Sequence, residues 1–293
     1  MLHRYSIADI VIGCDRDLVT LGLRGFAPFA IEGDERPCDT HIRFMEDMSA
    51  IAEGKCRTIA KSFVSEAEAE GEFLRTERGY LYTISGKNDG KATLFHIDTT
   101  TNEITTNSQP QTSLDLALLR FGLWMMFGVV LSKKQAIAIH SSVIECKGRG
   151  VLFLGESGTG KSTHTRLWRE HIEGARLLND DSPIIRIVDG EARVYGSPWS
   201  GKTPCYKSRY VPVAGLCRLS QAPHNAIRRL STIAAIGALL PSCPPQYAHD
   251  EHLQDAICRT LGEVIRRVGV YHLECLPNGE AAELSRNTII GNE

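Results

Sequence analysis

A chain of 293 residues, 42% hydrophobic and 23% charged, can bury one large core or two of ordinary size, which places it among globular proteins. Its net charge of −2 supplies no long-range attraction for nucleic acid or an anionic membrane, so neither is expected as a partner. Nine cysteines, an odd number without a Cys-x-x-Cys pair, suggest neither a disulfide framework nor a zinc site and read as reduced, mostly buried thiols in a cytosol.

In chain order, the opening Met1 to Ile7 meets Asp9 and Asp15 before an apolar run of signal-peptide length forms, so a cytoplasmic protein is expected. Residues 1–110 carry short alternating runs, Ile7 to Gly13, His41 to Met45 and Tyr80 to Ile84. Turn signals such as Asn88-Asp89-Gly90 separate them, and the region reads as β-rich, with no assignable role. The acidic run from Glu66 to Glu72 reads as a solvated face. Residues 113–132 are the most hydrophobic stretch. Arg120 interrupts it, and the uncharged run Phe121 to Leu131 is short of the roughly 20 residues a bilayer core needs, so a buried helix joining the two halves is expected.

Ala136 to Cys146 is strand-like and carries His140. A turn at Lys147-Gly148-Arg149-Gly150 follows, and then the apolar run Val151 to Leu154, which together predict a β-hairpin. The hairpin feeds Gly155-Glu156-Ser157-Gly158-Thr159-Gly160-Lys161-Ser162-Thr163, which satisfies the phosphate-loop pattern. Glycines there let backbone N–H groups turn toward an anion, Lys161 supplies an ammonium for the β and γ oxygens, and Ser162 offers a hydroxyl to Mg²⁺. A helix is predicted from Ser162 to Glu170. Ala175 to Asn179 is a short strand ending at Asp180 and Asp181. Two acids beside a phosphate loop can divide two tasks, holding Mg²⁺ and taking the proton of an attacking hydroxyl, although Asp-Asp-Ser-Pro is also turn chemistry.

Asp189-Gly190 predicts a second hairpin, and Gly196 to Pro204 an ordered binding loop in which Lys202 is a candidate phosphate or substrate contact. Beyond it come a strand from Val213 to Leu219, a helix capped by Ser231 or Thr232, a long helix from Glu251 to Val268, a strand from Tyr271 to Leu276 and a helix after Asn278-Gly279. His249 and His252 lack a third ligand at metal-binding spacing.

The span from His140 to Asp181 resembles the C-terminal domain of the HPr kinase/phosphorylase family and the nucleotide half of the phosphoenolpyruvate carboxykinases. The likeness is carried by His140-Ser141-Ser142, by Gly155 to Lys161 and by Asn179-Asp180-Asp181. It implies an α/β phosphoenolpyruvate carboxykinase/HPr kinase-like P-loop domain over residues 111–293, with a β-rich N-terminal region at 1–110. It also implies an ATP- and Mg²⁺-dependent kinase that moves the γ-phosphoryl group to a hydroxyl on a protein, peptide or small molecule. Asp180 would handle the acceptor's proton, Asp181 with Ser162 would attend the metal, and His140 would lie at the active site, where the carboxykinases use the matching histidine on the metal. The chain departs from the carboxykinases in length and in lacking a convincing counterpart of their oxaloacetate-binding arginines. It departs from HPr kinases in carrying Ser141, where those have glycine, and in their second signature. A nucleotide-responsive binding module and a small-metabolite carboxykinase therefore stay open as alternatives, as do the acceptor and any homo-oligomer.

Overall fold

A computed structural model describes residues 2–64, 68–86, 92–201 and 203–291. The Asn88-Asp89-Gly90 turn, Glu66 and Ala67 of the acidic run, and Lys202 lie outside the described residues. The chain packs as two compact units, Met1–Lys133 with Gln246–Gln254, and Lys134–Pro245 with Asp255–Glu293.

The first unit is an eight-stranded sheet. Its strands are β1 (His3–Ile7), β2 (Ile10–Cys14), β3 (Thr40–Phe44), β4 (Cys56–Val64), β5 (Ala69–Thr76), β6 (Gly79–Gly86), β7 (Ala92–Asp98) and β8 (Glu103–Thr106), in the order β1-β2-β3-β8-β7-β6-β5-β4. A short helix, α1 (Ser49–Ala52), precedes β4, and α2 (Ser113–Ser132) packs on β6 and β7. Thr112 caps α2 by accepting from the Asp115 amide, and the Asp115 carboxylate accepts from the Thr112 amide, so two orphan donors are satisfied reciprocally. Gly122 on α2 lies against the Phe95 ring so closely that a Cβ would meet it at 2.2 Å, which sets how near helix and sheet approach. By length and composition α2 is able to cross a membrane. Yet 56% of its most apolar window is buried within the protein, as the buried-helix reading expects. It belongs to the first unit, whose first segment ends at Lys133.

Residues Gln246–Gln254 join this unit through polar groups. The Tyr80 hydroxyl donates to Asp250 Oδ1 at 2.8 Å, and Arg75 donates to the Tyr80 oxygen at 2.6 Å. Tyr247 donates to the Met125 carbonyl, and its ring lies 5.6 Å from that of Phe73.

The second unit contains a nine-stranded sheet. Its strands are β9 (Ala136–Ala138), β10 (Ser141–Cys146), β11 (Arg149–Leu154), β12 (Arg176–Asp181), β13 (Ile184–Val188), β14 (Glu191–Tyr195), β15 (Tyr210–Gln221), β16 (Ala226–Arg229) and β17 (Gly269–Cys275). The path runs β12-β10-β11-β15-β14-β13-β9, and β17 joins β15 to β16. Helices α3 (Lys161–His171), α4 (Thr232–Leu239), α5 (Glu251–Arg267) and α6 (Gly279–Ile289) complete it, α5 beginning within the segment that packs with the first unit. Both predicted hairpins form on two-residue turns with positive φ, Lys147-Gly148 and Asp189-Gly190, the geometry that matches strand twist. The core on the α3 and α6 side gathers Phe153, Leu167, Trp168, Cys217 and Leu273.

These sheets correct the expected architecture, a phosphoenolpyruvate carboxykinase/HPr kinase-like P-loop domain with strands concentrated at the N-terminus. The molecule is a mixed α/β protein, 37% strand and 30% helix, in which both units rest on large sheets. The reason is local. A parallel strand pair needs a helical crossover, whereas an antiparallel pair needs only two residues, and the hairpins of the second unit add strands without adding helices.

Two stability outcomes follow. Tyr80→Phe keeps the ring but leaves buried Asp250 without its phenol donor, so it is expected to cost about 1–3 kcal/mol in urea unfolding. Second, burial holds His164 on α3 at about 4, below its ordinary 6.5. The unfolded chain therefore binds the proton first: the contribution is intact above 6.5 and is lost as pH falls toward about 4, by about 3 kcal/mol at most. The urea midpoint of wild type should fall more steeply over that window than that of His164→Gln; parallel profiles would refute the assignment.

Candidate functional site

The segment Gly155–Gly160 leaves the end of β11 and enters α3, with positive φ at Gly155, Gly158 and Gly160. At Gly155 a Cβ would meet the Thr159 hydroxyl at 2.5 Å, so both conformation and space require glycine there. Gly160 is the N-cap, and the His164 amide is the first to bond back to it, at 2.8 Å, so the amides of Lys161, Ser162 and Thr163 form the open N-terminus of α3. The loop is closed on itself. Lys161 Nζ donates to the carbonyls of Gly155 at 2.7 Å and Glu156 at 3.1 Å, and Thr159 Oγ1 donates to Glu156 O at 2.8 Å. Burial lowers the Lys161 ammonium below the usual lysine range, while Asp181, and after it Asp180, pull it back up, so both carboxylates act on the loop lysine. Ser157 and Glu156 are exposed.

The pairing of β12 with β10 sets the two aspartates. Asp180 stands opposite Ser142 and Asp181 opposite Ser141, at the end of β12 beside the loop. Asp180 is 5% exposed, and its Oδ1 accepts hydrogen bonds from Ser142 and, at 3.4 Å, from Ser162 at the start of α3. Asp181 is half-buried, with Oδ1 3.1 Å from His140 Nδ1, and its φ of 131° lies where a side chain is strained. The backbone holding it there is over-determined: Asp181 bridges Ser200, and Gly201 N donates to Asp180 O at 2.5 Å.

Behind the acids, the buried Asn179 amide donates to the Trp199 carbonyl at 3.2 Å and accepts from the Ser182 amide at 3.0 Å, while Ser200 Oγ donates to Asp180 O at 3.1 Å. The segment read as a binding loop thus packs against the aspartates. The structure brings together Lys161, Ser162, Asp180, Asp181 and His140, in two sets: Ser162 with Asp180, and His140 with Asp181. No sequence motif assigns a task to Ser142 or Asn179. Their signal was position, since Ser142 sits two residues past His140 on the strand and Asn179 directly precedes the acids.

Hard oxygen donors, Ser162, Asp180 and Asp181, are a chemistry Mg²⁺ takes, and one that needs few protein ligands when substrate phosphates supply the rest. Among the described residues no group of three or more His, Cys, Asp and Glu side chains forms a metal cage. Comparison with protein-family models and with curated proteins finds no match.

The strain at Asp181 gives a direct outcome. Asp181→Gly and Asp181→Ala both lose the His140 contact, but only glycine accepts that φ, so the glycine variant should unfold about 1 kcal/mol later in urea, net of its larger chain entropy. Equal stability would show that the backbone there is unstrained.

Proposed function

We propose that the protein is an ATP- and Mg²⁺-dependent kinase that transfers the γ-phosphoryl group to a hydroxyl, the activity implied by its resemblance to HPr kinases, and that it works in the cytoplasm. The observation that carries this reading is the convergence of the loop lysine and two carboxylates at one sheet edge, with Asp180 bonded to Ser162 of the loop helix. In this reading the open amides of α3 and Lys161 bind the phosphate chain, Lys161 exchanging its loop carbonyls for phosphate oxygens. Ser162 and Asp181 would hold Mg²⁺, which when bound supplies charge neutralisation of the phosphates.

Asp180 takes the acceptor's proton. Both hydroxyl bonds to it reach Oδ1, so among the described residues Oδ2 has no hydrogen-bond donor and is the oxygen that meets an incoming hydroxyl. Ser142 fixes the orientation of the carboxylate, a positioning task on which general-base chemistry depends. His140, exposed beside Asp181, holds that carboxylate in place. Lys202, in the proposed substrate-contacting loop, is part of this reading by sequence alone.

A nucleotide-responsive module without transfer would need the loop but not an oriented, buried carboxylate beside it, and so is the second reading. The two separate experimentally. Lys161→Ala is expected to weaken Mg·ATP binding about tenfold or more, by loss of a charged contact. Asp180→Asn is expected to keep binding within about threefold and to lower transfer of labelled γ-phosphate to an acceptor in cell lysate by about 10²-fold or more. Equal loss of ATP affinity in both variants would contradict the division of roles, and binding without transfer in wild type would favour the module.

A further inference from the structure

The row of residues that begins at Asp181 continues past the glycine loop. In cross-strand register Asp181 stands opposite Ser141, Ser141 opposite Leu154, Leu154 opposite Arg218, Arg218 opposite His272, and His272 opposite Arg228. Registered neighbours share a face, so from Ser141 to Arg228 this line crosses the sheet on the side away from α3, whose own side carries Phe153 and Cys217. Leu154 is the last residue of β11, so the line runs along the edge from which the loop rises. At about 4.8 Å per strand, Arg218 lies three steps, roughly 14 Å, from Asp181 in backbone position.

Three side chains at the far end of the row hold one another. Arg228 Nη2 is 3.4 Å from His272 Nδ1, and His272 Nε2 is 2.8 Å from Ser220 Oγ. A guanidinium only donates, so Nδ1 accepts and Nε2–H donates to the serine, which fixes a neutral imidazole. Burial, then the charges of Arg228 and Arg218, hold that ring below the usual histidine range, with Glu274 acting in the opposite sense. Arg218 donates to the Ala238 carbonyl at 3.3 Å and has a loose carboxylate partner, Glu156 at 3.7 Å, whose side chain is 82% exposed. Among the described residues Arg228 has no carboxylate within 4 Å. Two guanidinium groups gathered about one neutral ring, neither held in a close carboxylate pair among the described residues, are a fork that suits a planar or tetrahedral oxyanion.

We propose that Arg218 and Arg228, set about His272, form an oxyanion subsite for the phosphoryl acceptor, which carries a carboxylate or phosphate group in addition to its reacting hydroxyl. The assignment to the acceptor rests on the kinase reading above. It follows from sidedness: the row of Arg218, His272 and Arg228 lies on the face away from α3, whose N-terminus takes the nucleotide phosphates, and on the other side of β11 from the aspartates. The acid group and the hydroxyl of the acceptor then span the stretch of edge between Arg218 and the aspartates.

The test follows the His272 ring by NMR in the full chain with labelled histidine, titrated with inorganic phosphate and separately with succinate. Both titrations are run with and without saturating Mg²⁺ and the β,γ-imido analogue of ATP. The ring signal is expected to move with at least one anion, and the better of the two identifies the group recognised. The response should persist when the loop is filled. Arg218→Ala or Arg228→Ala should weaken it about tenfold, with the lysine variants intermediate, while Lys161→Ala leaves it unchanged. Glu156→Gln, removing the competing carboxylate, should strengthen it. A ring that responds to neither anion, arginine variants that bind as wild type does, or a response abolished by the nucleotide analogue would overturn the proposal, the last outcome making the arginines part of the nucleotide site. Failure of the analogue to bind while the ring still responds would instead count against the kinase reading and leave an anion site of other purpose.

Discussion

The candidate site depends on the antiparallel pairing of β12 with β10. That register puts Asp180 opposite Ser142 and Asp181 opposite Ser141, where one carboxylate meets Ser162 of the loop helix and the other His140. A slip of one residue would turn Asp180 to the other face and remove it from Ser162. The register is itself held from behind by the buried amide of Asn179, which ties the strand to the carbonyl of Trp199, and by Ser200, which donates to Asp180 O. Buried polar groups of this kind are costly unless fully paired, and here the pairing serves to fix the place of an acid.

The same logic of paired polar groups operates in the first unit. Tyr80, Arg75 and Asp250 join a segment distant in sequence to the sheet, where a purely apolar contact would not set its register. The apolar helix α2 supplies burial there, and its small residues allow close approach, as the Gly122 contact with Phe95 illustrates. Hydrophobic area gives this unit its stability, and the polar cluster decides which segment completes it.

Much of the local structure was legible in the sequence because its signals are short-range. The α2 bounds, the cap at Ser231, the helix that follows Asn278-Gly279, and the turns at Lys147-Gly148 and Asp189-Gly190 are read from residues a few positions apart. The architecture was not legible in the same way, since strand-loop-helix at residues 151–171 does not report how many antiparallel strands surround it. The strand β16, in a polar stretch with Arg228 and Arg229 exposed, has no alternating apolar pattern to show. In the site, the aspartates and Lys161 could be named because loop and acids lie within about 26 positions of each other in sequence, a distance that motifs cover. That Asp180 meets Ser142 while Asp181 meets His140, and that Arg218, His272 and Arg228 share their edge, depends on pairings between strands far apart in sequence, which no local pattern encodes.

The central claim is that the loop and the acids beside it hold the phosphate chain of ATP through a metal. Isothermal titration of the full chain with ATP, in the presence and in the absence of Mg²⁺, tests it most directly. One site that tightens with Mg²⁺ and is displaced by pyrophosphate is the result this account expects. Heat that is absent under both conditions, or binding indifferent to Mg²⁺ and to pyrophosphate, would contradict it.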